Sequence, residues 1–180
     1  MASQENREPR RVRAMFDGIA RRYDLLNHML SANMDRRWRR RAADRVPDDR
    51  GGLILDLCGG TGDLAVELAR RDSRRLVVCC DFSHEMLVRA GRKFEKTTAP
   101  GALRLLEADG LRLPFRDGSI DTVTVAFGVR NFADMDTGFR EAARVLRPGG
   151  RFVVLEFSRP AGRLFGPLSV SYTHLRAHET

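Results

Sequence analysis

The chain is poor in lysine, cysteine and aromatic residues, and it has no long apolar run. Lys93 and Lys96 are its only lysines, so the net charge of +8 is carried almost wholly by arginine. That bias reflects GC-rich coding rather than a physical need. A basic balance admits an anionic partner, whether nucleic acid, membrane surface or acidic metabolite, without choosing among them. Cysteine is limited to Cys58, Cys79 and Cys80. An odd number with two adjacent argues against a disulfide framework, and no CxxC pair or Cys/His cluster suggests zinc, so no metal site is expected. A reducing cytoplasm is the simplest setting. The polar start, MASQENREPRRVR, lacks the apolar stretch of a signal peptide. No run approaches the ~20 apolar residues that span a bilayer, so any membrane contact is expected to be peripheral. What is present is a globular composition, 42% hydrophobic over 180 residues. At roughly 150 residues per domain, that length makes one domain with an extra arm.

From Val12 to about Val46 the pattern is helical but irregular. Met15, Ile19, Tyr23, Leu26 and Leu30 recur at three- and four-residue steps, and a second segment runs from Met34 to Val46. Pro47 to Gly52 reads as a breaker. Beyond it, short apolar runs alternate with amphipathic stretches. Strands are expected over 53–57, 76–80, 103–108, 120–126 and 151–157. Helices are expected over 63–71, from a Ser83 cap to about Lys96, and from an Asp134 or Asp136 cap to Pro148. This alternation predicts βαβ units, a mostly parallel sheet and helices on both faces. The chain thus divides into a helical arm or lid (1–46), a core (47–158) and an irregular tail (159–180). The tail shows no clear period and does not read as a sixth strand.

The loop Gly59-Gly60-Thr61-Gly62 follows a strand and opens a helix. In that context backbone N–H groups and the helix N-terminus hold a ligand's polar groups. A dinucleotide fingerprint starting at Gly59 needs glycine at 61 and glycine or alanine at 64; Thr61 and Leu64 argue against it. Asp81, followed by Phe82, ends the second strand, where an acidic residue of a doubly wound fold accepts hydrogen bonds from ribose hydroxyls. The competing role is an ordinary helix cap. Asp109-Gly110, after the third strand, offers a carboxylate for the exocyclic amine of adenine. Phe127-Gly128-Val129-Arg130-Asn131-Phe132 follows the fourth strand, outside the strand ends where ligands of open α/β sheets bind. Arg130 and Asn131 can hold an oxygen or an ordered water there. In the arm, Tyr23-Asp24-Leu25-Leu26-Asn27-His28 sets a phenol, a carboxylate, an amide and an imidazole among apolar positions, as a lid that excludes water would. Arg36-Arg37-Trp38-Arg39-Arg40-Arg41 circles a helix axis. A solvated helix anchored by Trp38 is the first reading, an anionic membrane surface the second and nucleic acid the third.

The string Asp56-Leu57-Cys58-Gly59-Gly60-Thr61-Gly62 resembles the first motif of class I S-adenosylmethionine-dependent methyltransferases. Two longer stretches resemble signatures of the ubiquinone/menaquinone biosynthesis C-methyltransferase family. One is Tyr23 to Ser31 continuing to Trp38, departing at Asp35, where the family often has histidine. The other is Arg144 to Ser158, without departure. The FGVRN string at 127–131 is also similar, and the resemblance runs from about Val12 to about Leu168. It implies a doubly wound, Rossmann-like class I methyltransferase with strands one to five parallel. It implies S-adenosylmethionine as cofactor and methylation of a ring carbon of a polyprenyl quinol, demethylmenaquinol to menaquinol being favoured.

By that resemblance Thr61, Asp81, Asp109 and Gly110 are cofactor contacts. With the neighbouring loop and strand-end positions the expected binding set is Asp56, Gly59, Gly60, Thr61, Gly62, Asp81, Phe82, Asp109, Gly110 and Phe127. Arg130 and Asn131 are the first candidates for orienting the quinol oxygen or a basic water, and Tyr23 and Asp24 the second. The family continues past strand five with another helix and two more strands, one antiparallel. Here the final VSYTHLRAHET departs from it and resembles translated adapter sequence. The chain is therefore expected to be C-terminally truncated, with the last two strands missing and strand five left as an aggregation-prone edge. A lipophilic substrate implies a cytoplasmic protein working at the inner membrane face, with nucleic acid disfavoured as partner and oligomeric state open. The alternatives are a methyltransferase acting on another small molecule or on nucleic acid, a nicotinamide oxidoreductase, or an inactive truncated fragment.

Overall fold

The computed structural model describes residues 34–47, 52–72, 74–97, 100–158 and 169–176, together with positions 15, 17, 18 and 31. Its elements are α1 (Met34–Ala43), β1 (Leu53–Leu57), α2 (Asp63–Arg71), β2 (Leu76–Asp81), α3 (His84–Phe94), β3 (Leu103–Glu107), β4 (Ile120–Ala126), α4 (Met135–Val145), β5 (Leu146–Ser158) and β6 (Ser169–Arg176), with short 3-10 turns at Pro100–Ala102 and Val129–Asn131. The six strands form one sheet in the order β3-β2-β1-β4-β5-β6. The first five are parallel and β6 runs antiparallel to β5.

Alternation along the strands sorts side chains to two faces. Ile54, Val77, Cys79, Val153 and Leu155 pack with Trp38, Leu64, Leu68, Leu87 and Phe94, which come from α1, α2 and α3. Leu55, Leu57, Val78, Cys80, Val123 and Val125 pack on the opposite side with Phe132, Ala142 and Val145. Burial on both faces is why β1, apart from Asp56, and β2, up to Cys80, read as continuous apolar runs rather than alternating ones. Ser83 caps α3 by accepting from the Met86 N–H, and Asp134, of the two candidates, caps α4 by accepting from the Asp136 and Thr137 N–H groups.

Arg144, near the end of α4, is a hub. Its guanidinium donates to the carbonyls of Leu113 and Phe115 and to the carboxylates of Asp117 and Glu141, and these acceptors hold its pKa above the ordinary arginine range. Arg144→Ala leaves the Leu113 and Phe115 carbonyls without this donor, and is expected to cost about 1–3 kcal/mol in stability as read from urea denaturation.

Two expectations are corrected. Strand five begins at Leu146, five residues before the expected Arg151. Leu146 pairs with Ile120 and Arg151 with Thr122, so Arg147–Gly150 form an irregularity within the strand rather than a break before it. The tail is not irregular throughout: Ser169–Arg176 pairs with all of β5 from Arg151 to Ser158. The edge of β5 is therefore covered. Strand pairing is made by backbone N–H and C=O groups, so an extended segment can satisfy that edge without a clear side-chain period.

Candidate functional site

The chain runs from β1 outward to β2 and β3, then returns to place β4 on the other side of β1. Beyond the carboxyl ends of β1 and β4, the elements diverge and leave a crevice. The loop after β1 enters it. The Gly59 N–H donates to the Cys80 carbonyl (3.0 Å), and the Gly62 N–H to the Gly59 carbonyl (2.9 Å). Gly62 has φ of 79°, and a Cβ there would sit 2.6 Å from the Phe94 ring, so both backbone and space require glycine. Two non-glycine residues also take positive φ, Cys58 (53°) and Phe127 (59°). They follow β1 and β4 directly. A Cβ on Gly128 would lie 2.5 Å from that of Cys58, so the two turns press together. Strained backbone of this kind persists only where its surroundings enforce it, and it clusters at ligand sites.

Three carboxylates stand around this loop. Asp81 Oδ2 accepts from the Gly60 N–H and Oδ1 from the Ser83 N–H, both at 2.9 Å. Burial pushes its pKa up, and those N–H groups pull it back. Asp56 is fully buried. Its Oδ1 accepts from the Thr124 hydroxyl at 2.9 Å, while Oδ2 has no hydrogen-bond partner among the described residues. Burial pushes the Asp56 carboxyl up to about 7, against the Thr124 hydrogen bond and the Arg39 charge. Asp17, from the arm, accepts from the Ser83 hydroxyl at 2.5 Å. Nothing in the sequence distinguished Asp17, because its contact with Ser83 spans 66 positions of the chain.

Arg39 was also missed. It is only 8% exposed. It pairs with Asp35 one helical turn earlier, stands 3.8 Å from Asp63 and lies 5.7 Å from the centre of the Phe127 ring. The Ser31 hydroxyl braces Asp35 at 2.8 Å. Arg39 thus lines a recess with Asp56, Gly59, Gly60, Thr61 and Asp63. The available signal was the i,i+4 spacing of Asp35 and Arg39 on either side of Trp38. Thr61 is itself buried and accepts from Lys93 Nζ at 3.2 Å.

Two adjoining recesses share Cys58, Asp81, Phe82 and Asn131. The larger, about 540 Å³ and open to solvent, is also lined by Asp109 and Gly110. Asp109 Oδ1 accepts from the Leu111 N–H at 2.9 Å. The smaller is also lined by Gly60, Phe127 and Gly128. Burial raises all three thiols, that of Cys80 to about 12, so none is a nucleophile at neutral pH. Among the described residues no cluster of potential metal ligands occurs.

The structure therefore gathers Asp56, the glycine loop, Asp81, Phe82, Asp109, Gly110, Phe127 and Asn131 around one crevice. Arg130 does not join them. Its side chain is 54% exposed, reaches Glu156 at 3.4 Å and lies over the Phe157 ring. Val129–Asn131 is a 3-10 turn, which rotates successive side chains by about 120°, so neighbours in sequence point apart. Tyr23 and Asp24 lie outside the described residues.

Comparison with known proteins identifies the family. The ubiE/COQ5 methyltransferase family matches residues 2–176. The chain belongs to that family. The match takes in β6 as well as the stretch from Val12 to Leu168. Among curated family relatives, the demethylmenaquinone methyltransferase of Thermus thermophilus is 53% identical over 84% of this chain and 68% of its own length. The ubiquinone/menaquinone biosynthesis C-methyltransferase UbiE of Geobacter sulfurreducens is 45% identical over 86% and 61%. The demethylmenaquinone methyltransferase of Deinococcus radiodurans is 48% identical over 86% and 64%. The chain thus spans about two thirds of the length of these relatives. Among solved structures, an S-adenosyl-L-methionine-dependent methyltransferase, by its description, from Methanococcus maripaludis has TM-score 0.68 at 22% identity, over 77% of this chain and 62% of that one. Geranyl diphosphate methyltransferase bound to GPP and sinefungin has TM-score 0.61 at 22% identity, over 66% and 43%. At these identities the likeness establishes the Rossmann-like fold alone. No helix among the described residues is long and apolar enough to cross a membrane.

Proposed function

We propose that this family member methylates a ring carbon of a polyprenyl quinol with S-adenosylmethionine, converting demethylmenaquinol to menaquinol. One observation carries the cofactor assignment. Asp56 presents a buried carboxylate oxygen with no hydrogen-bond partner among the described residues, and Asp81 stands at the end of the neighbouring strand, with the glycine loop bridging them. A buried acceptor without a donor is costly in a folded chain, and a ligand's cationic donor relieves it.

The residues fit the group end by end. Asp56 would accept from the α-ammonium, and Arg39 would donate to the α-carboxylate. Asp81 would accept from the ribose hydroxyls, and Asp109 from the adenine amine, with Gly110 and Phe82 against the ring. Bound there, S-adenosylmethionine supplies a methyl group on a sulfonium, already activated for displacement. The protein's task is then to orient the acceptor carbon and favour loss of the quinol proton. Asn131 lines the crevice and is the first candidate to hold the quinol oxygen or an ordered water. Arg130, on the outer side of that turn, serves better at the rim, and Tyr23 and Asp24 remain candidates from the arm. Phe127 and Phe157 stack with centroids 4.8 Å apart, and Trp38 meets both edge-on. This aromatic group gives the prenyl chain an apolar approach, in keeping with a protein that works at the inner face of the membrane.

The test is calorimetric titration with S-adenosylmethionine and NAD, followed by a methyl-transfer assay on demethylmenaquinol. Saturable binding of S-adenosylmethionine alone is expected. Asp81→Asn exchanges charge-assisted hydrogen bonds for neutral ones and is expected to weaken binding about tenfold. NAD binding in its place would refute the assignment.

A further inference from the structure

A second concavity adjoins the cofactor recess, with which it shares Arg39 and Asp63, and its other cations take no part in the chemistry above. It is a groove of about 930 Å³ between α1, α2 and α3. Six cations line it: Arg36, Arg39, Arg40, Arg70, Lys93 and Lys96, against two acids, Asp63 and Glu67. Both acids are already engaged. Asp63 pairs with Lys93 and faces Arg39. Glu67 pairs with Arg71. Arg36, Arg40, Arg70 and Lys96 are exposed and make no ion pair with any described residue. Four unneutralised cations around one concave surface repel each other, and their field is focused into the groove. An anion of matching size removes the repulsion.

We infer that this groove binds phosphate groups, and that the phosphates of an anionic phospholipid surface are its ligand. The surroundings favour lipid over nucleic acid. Met34, one turn before Trp38, and Phe157, 5.7 Å from the Trp38 ring, are both exposed apolar side chains. Met34 and Trp38 share one face of α1 while Arg36 and Arg40 take another, so the apolar side chains flank the groove rather than line it, and this division into an apolar and a cationic face is that of an interfacial helix. Single-stranded nucleic acid needs free aromatic faces for base stacking. Here Trp38 is buried, and Phe157 is engaged by Phe127 and Arg130. The inference rests on the groove's charge and not on the identity of the methyl acceptor.

The experiment compares three proteins: the parent, a groove variant (Arg36→Gln/Arg40→Gln/Arg70→Gln/Lys96→Gln), and a charge-matched control (Arg37→Gln/Arg41→Gln/Arg112→Gln/Arg116→Gln) drawn from exposed arginines outside the groove. One arm measures co-sedimentation with phosphatidylcholine vesicles, with and without phosphatidylglycerol. The other titrates inorganic pyrophosphate. S-adenosylhomocysteine affinity and melting temperature are read for all three, so that loss of fold or of the cofactor site is seen separately. The expected result is binding to anionic vesicles that falls at least about tenfold in the groove variant and little in the control, since each basic side chain near such a surface adds roughly fivefold. Pyrophosphate binding with the same variant dependence, but no vesicle binding, would keep the phosphate site and overturn the lipid source. Equal losses in the groove variant and the control, no binding in either arm, or groove-dependent binding of single-stranded RNA alone would overturn the inference.

Discussion

Arg39→Met is expected to weaken S-adenosylhomocysteine by about a hundredfold and to leave 5′-methylthioadenosine within about twofold. The two ligands share the nucleoside and differ in the amino-acid end. Arg39 lies beside the glycine loop, 92% buried, with its charge directed by Asp35 and Asp63. Losing a desolvated charge partner for a carboxylate costs about 2–5 kcal/mol, which sets the hundredfold scale. Removing Arg39 also takes a counter-charge from buried Asp35, which is expected to destabilise the fold. The double variant Asp35→Asn/Arg39→Met restores neutrality and separates the two effects. Calorimetry with both ligands decides the matter. Equal weakening of both in the double variant would assign Arg39 to the scaffold.

Asp56→Asn is expected to stabilise the protein at pH 8 while weakening the cofactor. The folded carboxyl titrates near 7, against 3.8 for an ordinary aspartate. Between those values the folded state keeps a proton that the unfolded chain has released. Stability therefore falls as pH rises from about 4 to 7 and is level above. The shift of about three units corresponds to about 4 kcal/mol at most, and asparagine removes it while still accepting from Thr124. Asp81, also raised, contributes in the same direction. A cationic ligand requires Asp56 ionised, so affinity for S-adenosylhomocysteine should rise with pH up to about 7, with proton release detectable by calorimetry in buffers of differing ionisation enthalpy. In Asp56→Asn the affinity gradient and the proton release shrink to what Asp81 contributes, and denaturation midpoints at pH 5 and pH 8 draw closer. A gradient undiminished by the substitution would remove Asp56 from the ammonium site.

The parallel core was legible because each buried strand is a short apolar run between breakers, and a strand between two helical layers has no other pattern to adopt. The glycine loop and Asp81 were legible because their function depends on local geometry at a strand end. Arg39 was not, because five arginines in six positions look alike until α1 packs on α2, and only that contact selects which one turns inward. Asn131 and Arg130 looked interchangeable because a 3-10 turn cannot be told from an irregular loop in three residues. The strand β6 escaped because its pairing is a property of backbone rather than side-chain pattern. Asp17 meets Ser83 across 66 positions, a contact no local pattern shows.

The pressed pair of turns at Cys58 and Phe127 has a mechanical consequence. One turn opens the loop that would hold the cofactor, and the other begins the segment that ends in Asn131. Each holds a backbone conformation its own residue disfavours, and Gly128, next to Phe127, packs directly against Cys58. The two halves of the crevice therefore meet at one point, and a side chain added at Gly128 has to displace the turn at Cys58 as well as its own.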